Sequence, residues 1–427
     1  MKIKEKITNL SHIFSNLWQK KSVKSAILVH LFYFFLSITL LFLFFRKNND
    51  FIVYYRAGGL FLENITELYN LEHYLWQFRY FPLAAVFFIP YYLLGFELGF
   101  IVFHITNLFL NYLTVLLMYK IILYVKKQDK EQRRDQLILY ISLFLMGLPQ
   151  MFNYVLGQIN LFVTTLMLLS LYIFLKYDDM LWNLKGALTL GASFVIKPTL
   201  IFIVPFLAVI KLNSGNKKCN INIKTSLIRI LGSLVPLLSN LILFILIPEL
   251  WEGFLRMNLT RASLVEMNHS FSITRNVINV LLLFGVFNSS LLILLTILFV
   301  VGGIAFLIYI FGDFGKNRLI FGYLLGLIVL LLSYFDSWNH HLVTFLPLLI
   351  ILILTLPHNS KISSNYFKPA FFFLNFLDLA FMGIWFIIYP VFPFHCTTTF
   401  FLIVILIGIG KFGVNRKNKT YKNDAKE

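Results

Sequence analysis

Charge is scarce in this chain. Asp, Glu, Lys and Arg make up 13% of its 427 residues, about half the share of a soluble domain. A soluble fold of this length needs far more polar surface to clothe its core, so a soluble protein is excluded. The 59% hydrophobic content likewise excludes a disordered chain. Cysteine is nearly absent: Cys219 and Cys396 lie far apart in separate loops, which excludes a disulfide scaffold and a cysteine metal cluster. There is no low-complexity linker, short-period repeat or polar stretch long enough for a separate soluble domain. Nor is a cleavable leader expected. The first long apolar run begins near Ser25 and ends at Arg46-Lys47 without a small-residue cleavage site, so it reads as a retained helix.

Apolar sequence is what the chain has in plenty, with 48 Phe alone. Stretches such as 25–45, 226–248 and 321–333 are nearly uncharged, and a run of ~18 or more apolar residues reads as a membrane span. The pattern predicts an all-α polytopic membrane protein with about twelve crossings. These fall at 25–45, 98–124, 137–150, 159–176, 186–197, 198–212, 225–248, 289–311, 319–334, 341–356, 369–390 and 397–411. Two shorter apolar pieces, 81–95 and 277–286, read as re-entrant or tilted half-helices. The division is a basic N-terminal segment 1–24, one transmembrane domain 25–411 and a polar tail 412–427, expected to be disordered.

The net charge of +18 would point to nucleic acid in a soluble protein. Its distribution points elsewhere. The segments on one side of the twelve crossings, both termini included, carry 28 basic and 9 acidic residues, a surplus of 19. The loops on the other side, 46–80 and 249–275, each balance to zero. Basic residues collect on the cytoplasmic side, so the expectation is a cell-membrane protein with both termini cytoplasmic, two neutral external loops and no nucleic-acid partner.

Ionisable and amide groups at the ends of apolar spans are the informative ones, and most of them here fall on the outer side. Asp50 follows the first span; its bland reading is an N-cap for a helix starting near Phe51. Gln158 and Asn160 sit in Gly157-Gln158-Ile159-Asn160, where amides cap helices or glue them together. Lys197-Pro198 separates two short helices with no charged neighbour; a lysine there snorkels to the interface or faces a cavity at a helix break. Asn268-His269-Ser270 lies in the second external loop, and Asp336-Ser337-Trp338-Asn339-His340-His341 caps an external turn. No histidine pair has i, i+4 spacing with a nearby acid, so no metal is expected. Tyr54 and Tyr55 read most simply as interfacial aromatics. The stretch 51–63 is amphipathic and too polar to span, and reads as a helix lying in the outer interface.

In order, these motifs resemble the polyprenol-phosphate-dependent glycosyltransferases of family 87, which have the GT-C fold. The resemblance starts with an acid followed by Tyr54-Tyr55 and Ala57-Gly58, then Leu68-Tyr69, and Tyr80-Phe81-Pro82-Leu83 leading into Ile89-Pro90. It continues through Gly157-Gln158-Ile159-Asn160, a Gly/Ala-rich helix from Ala187 to Lys197-Pro198, Asn268-His269-Ser270, and Ser337-Trp338-Asn339-His340-His341. It covers roughly residues 48–350. Tyr80-Phe81-Pro82 departs from the common Tyr-Pro-Pro, and 250–266 matches no family motif.

The resemblance implies transfer of a hexose, mannose in many members, from a polyprenyl-phosphate donor to a lipid or glycan acceptor at the outer membrane face, with inversion. It implies Asp50 as catalytic base. The leaving phosphate would be met by Lys197, with His340 and His341 on the same phosphate or on the sugar. Gln158, Asn160 and Asn268 would bond sugar hydroxyls, and Tyr54 and Tyr55 would line the sugar pocket. Partners are then the lipid-linked donor, the acceptor and membrane lipids; no cofactor is needed. Two other classes share the architecture: a transporter or lipid flippase, and a polymerase or ligase of polyprenyl-diphosphate glycans. The first would set its polar groups at the midplane; the second would carry a basic external loop, and this one is neutral.

Overall fold

The computed structural model describes residues 20–44, 48–74, 76–126, 134–213, 218–259, 267–286, 290–357, 360–388, 391–392 and 395–424. Most of the basic N-terminal segment and the last three residues of the tail therefore lie outside the described residues.

The chain forms helices almost throughout, because long apolar segments in lipid must satisfy every backbone polar group internally. In order they are α1 (Lys21–Phe44), α2 (Asp50–Glu63), α3 (Pro82–Leu93), α4 (Phe96–Val125), α5 (Arg134–Val155), α6 (Asn160–Lys176), α7 (Met180–Ile196) and α8 (Pro198–Leu207). After a turn follow α9 (Ile223–Leu246), α10 (Pro248–Leu259), α11 (Ile273–Leu283), α12 (Ser290–Phe311), α13 (Gly315–Ser333), α14 (Asn339–Thr355), α15 (Ser363–Ile388) and α16 (Cys396–Asn415). Among the described residues eight of these, α1, α4, α5, α9, α12, α13, α15 and α16, are long and apolar enough to cross a membrane. The other four expected crossings are helices too, but of 10–17 residues. Such lengths fall below the ~20 residues of a full span.

Three expectations change. The segment 198–212 stops as a helix at Leu207 and turns into a short two-stranded antiparallel ribbon, β1 (Ile210–Asn213) and β2 (Lys218–Ile221), a local departure within an all-α membrane fold. The last helix does not end at 411: its backbone runs on to Asp424. And the amphipathic stretch forms α2 as expected, but its apolar face meets protein, with Phe51 packed on Tyr91, Phe96, Phe100 and Phe103.

The bundle is apolar outside as well as inside, unlike a soluble protein. Phe299, Ile387, Ile245 and Leu43 are 83%, 79%, 77% and 72% exposed, as lipid-facing side chains must be. Helices α13 and α14 run through the centre, and every residue from Leu319 to Ser333 and from Leu342 to Thr355 is buried. The turn between these two central helices carries the Trp338-to-His341 motif. The two neutral loops share one apolar cluster in which Tyr69 and Phe78 pack with Leu250 and Met257. Contacts at the other end join basic segments: Lys20 pairs with Asp135 at 2.9 Å, and Lys126 Nζ donates to Leu356 O at 2.9 Å. Basic segments thus touch one another, and the two neutral loops touch each other.

Candidate active site

The site is built on the turn between α5 and α6. Gly157 adopts φ +67°, a conformation that other L-residues enter at a cost of roughly 1–2 kcal/mol. A Cβ there would also stand 2.8 Å from Phe51 Cβ. Glycine therefore lets the turn lie directly against the start of α2, whose Asp50 N–H donates to Leu156 O at 3.0 Å. Gly157→Ala is expected to lower the thermal unfolding midpoint in detergent, at a cost of roughly 1–3 kcal/mol. It should also cut activity, because the same turn carries Gln158. An unchanged midpoint would show that the turn has slack.

Asp50 is not the cap of α2. That task falls to Asn49, whose side chain accepts from Phe51 N–H at 3.1 Å. The carboxylate of Asp50 is left to accept a hydrogen bond from Gln158 Nε2. Gln158 Oε1 in turn receives the Tyr54 hydroxyl at 3.4 Å, and Tyr54 meets the Tyr80 hydroxyl at 3.0 Å. Burial pushes the Asp50 carboxyl up to about 6, against the opposing pull of the Gln158 amide and the Lys197 charge.

Two residues further on, Asn160 opens α6 and accepts from Lys197 Nζ at 2.6 Å. Lys197 is 8% exposed and ends α7, a helix rich in small residues. At Gly191 a Cβ would lie 2.3 Å from Ser233 O, so glycine permits the close seating of α7 on α9 that fixes the position of Lys197. The Gly-Gln-x-Asn turn is thus a three-residue bridge, with a carboxylate on its first amide and an ammonium on its second. Behind it, Asn153 Oδ1 accepts from Asn160 Nδ2 at 3.2 Å, and Tyr154 joins His30, Asn111 and Gln150 in a buried polar network that fastens α1, α4 and α5 together.

His341 lines a small cavity with Lys197, Asn160, Thr199 and Thr344, and the rings of His340 and His341 stand edge to face at 4.4 Å. His341 Nδ1 accepts from Trp338 N–H at 3.3 Å. The two late motifs are stitched together: Ser337 N–H donates to Ser270 Oγ at 2.8 Å and Phe271 N–H to Ser337 O at 3.1 Å. The ring of His269 stands 4.2 Å from that of Trp338.

Two of the expected sugar ligands stand otherwise. Tyr55 turns to the far side of α2 and packs on Tyr92 and Phe96 at 5.1 and 5.3 Å. Asn268 closes its own turn, its Oδ1 accepting from Ser270 N–H at 3.0 Å. Asp50, Tyr54, Gln158, Asn160, Lys197 and the histidine pair are drawn together around the bridge.

Sequence reasoning passed over two charged clusters. Asp336 lies between two guanidiniums, in contact with Arg79 and 3.3 Å from Arg275, which is fully buried. Arg79 precedes the Tyr80 that reaches Tyr54, so this triad borders the site. The second is Asp378, buried on α15, which accepts from Asn339 Nδ2 and from Thr398 Oγ1 and has His395 Nε2 at 3.6 Å. Through Asn339 it anchors the turn that carries the histidine pair. An acid inside an apolar run was the available signal for Asp378; nothing local marks Arg275. Among the described residues no three His, Cys, Asp or Glu side chains gather as metal ligands.

Residues 78–334, more than half of the chain, match the family model of glycosyltransferase family 87. The match takes in Tyr80, Gln158, Asn160, Lys197 and Asn268; it begins after Asp50 and stops before the histidine pair. No curated protein and no solved structure matches the chain.

Proposed function

The chain belongs to glycosyltransferase family 87 and is a membrane-embedded glycosyltransferase, and from the geometry of the bridge we propose that it moves mannose from a polyprenyl-phosphate donor to a lipid or glycan acceptor at the outer membrane face. The observation that carries this reading is the pair of contacts made by one turn, Gln158 on Asp50 and Asn160 on Lys197.

Direct displacement needs a base for the incoming nucleophile and a cation for the leaving group. The acceptor oxygen attacks the anomeric carbon as the bond from that carbon to the phosphate oxygen breaks. The acceptor proton passes to Asp50, and the electron pair leaves with polyprenyl phosphate, whose growing charge Lys197 stabilises in an enclosed site. Attack opposite the leaving group inverts the anomeric centre. His340 and His341 stand on the Lys197 side, where the phosphate would lie. A donor with its own lipid tail suits a site at one end of a bundle made almost wholly of membrane helices.

The test is to incubate purified protein in nanodiscs with radiolabelled polyprenyl-phosphate-mannose and a membrane lipid extract. Label is expected in a new glycolipid or glycan, and a water-soluble nucleotide sugar should not substitute. Absence of transfer, with vectorial movement of the donor in sealed vesicles, would replace this reading with a transporter.

A further inference from the structure

A cavity far larger than the one beside His341 lies at the other end of α6. Its volume is about 910 Å³. Phe174 and Leu175 line it from the last turn of α6, the helix whose first residue is Asn160. At 1.5 Å per residue that places the cavity ~20 Å from the lysine bridge. It is lined from five chain segments, and four of its side chains are basic, Lys126, Arg229, Lys316 and Arg318, against one acid, Asp178.

These charges are not spent equally. Lys126 donates to Leu356 O, and Arg318 donates to Tyr309 O and Gly312 O, so these two brace the walls while keeping their charge. Lys316 is exposed. Arg229 is 8% exposed; its Nε donates to Asn183 Oδ1 at 2.7 Å and its guanidinium lies 4.6 Å from the centre of the Phe174 ring. The residue itself lines the cavity. Among the described residues neither Arg229 nor Lys316 forms an ion pair. Asp178 is exposed, at the rim. Asp178 attracts this guanidinium only from a distance, and a guanidinium this buried with no carboxylate in contact carries a desolvation cost of several kcal/mol, which a bound anion would offset. The remaining walls, Val209, Ile210 and Leu319 among them, are apolar. A free phosphate would fill a small part of such a space. A phosphate headgroup with its glycerol and the start of its acyl chains would use both the charge and the apolar wall, as basic pockets between membrane helices do.

We propose that this cavity is a binding site for an anionic phospholipid, seated by its phosphate on Arg229 and Lys316. The site is separate from the glycosyl-transfer site and does not depend on that reading.

Native mass spectrometry of the detergent-solubilised protein tests it, with phosphatidylglycerol, phosphatidylcholine and inorganic phosphate as probes. Wild type is expected to retain one phosphatidylglycerol, at least ten-fold better than phosphatidylcholine. Lys316→Gln should weaken that retention about five-fold, and Arg229→Gln should weaken it more. Lys185→Gln, at a lysine that does not line the cavity, should leave it unchanged. Arg229→Gln is judged only if its unfolding midpoint stays near wild type; Lys316→Gln, at an exposed position, decides otherwise. Retention that is equal for the two lipids, or unaffected by Lys316→Gln, overturns the proposal. So does binding of inorganic phosphate as tight as that of the lipid, which would assign the site to a soluble anion.

Discussion

Asp50→Asn is expected to cut transfer by roughly 10²–10⁴-fold, the range for a positioned base, while the protein unfolds at no lower a temperature than wild type. Both halves follow from the same geometry. Asn49 caps α2, so the helix does not need the Asp50 carboxylate, and an asparagine oxygen can still accept from Gln158. Burial raises the Asp50 carboxyl from its ordinary 3.8 to about 6, which corresponds to on the order of 3 kcal/mol. The sign of that shift makes the ionised side chain a burden. The folded state holds the proton more tightly than the unfolded one, so stability falls as pH rises from about 4 to 6 and stays lower above it. A neutral asparagine removes the burden. Activity runs the other way: a base must be unprotonated, so wild-type kcat/KM should fall about tenfold per pH unit below about 6, and the residual activity of the variant should lack that limb. Thermal unfolding in detergent at pH 8 and transfer rates from pH 4.5 to 8 measure both. Retained activity, or loss of activity together with loss of fold, would take the base role from Asp50.

Lys197→Ala is expected to lower kcat by roughly 10²–10³-fold, the effect of removing one preorganised group that faces developing charge. It should also move the acid limb of the pH profile to higher pH. Lys197 pulls the Asp50 carboxyl down, so without it the carboxyl rises further and the base is lost at a higher pH. A lysine that served only to fasten Asn160 would move that limb as well, since its charge acts on Asp50 in either role, but would leave the rate above the limb near wild type. Lys197→Arg should not rescue the rate, since a guanidinium is wider than an ammonium and the ammonium fits 2.6 Å from Asn160 Oδ1 in a buried position. An unchanged rate above the limb in Lys197→Ala would remove the lysine from the reaction.

Hydropathy and charge determined much of this protein without coordinates. Lipid forces a spanning segment to satisfy its own backbone, so an apolar run reports a helix by itself. That is why the eight long helices lie close to where the runs predict them. Loop charge likewise sorted the segments into a basic group and a neutral one, because each loop's charge is a local count. The Gly-Gln-x-Asn turn was legible as well, since its glycine, its two amides and the helix start lie within four residues.

Partnership across the bundle was not legible. Asp336 finds Arg79 and Arg275, and Asp378 finds Asn339, Thr398 and His395, because helices far apart in the chain pack side by side. Hydrophobic pattern says which residues are apolar and nothing about which helix meets which. The same holds for Tyr54 and Tyr55. Adjacent tyrosines read alike in sequence, yet successive residues on a helix point about 100° apart, so one reaches Gln158 and the other packs on Phe96. The cavity around Arg229 is the furthest case: its walls come from five segments, each an ordinary basic or apolar helix end, and only their packing makes them a site.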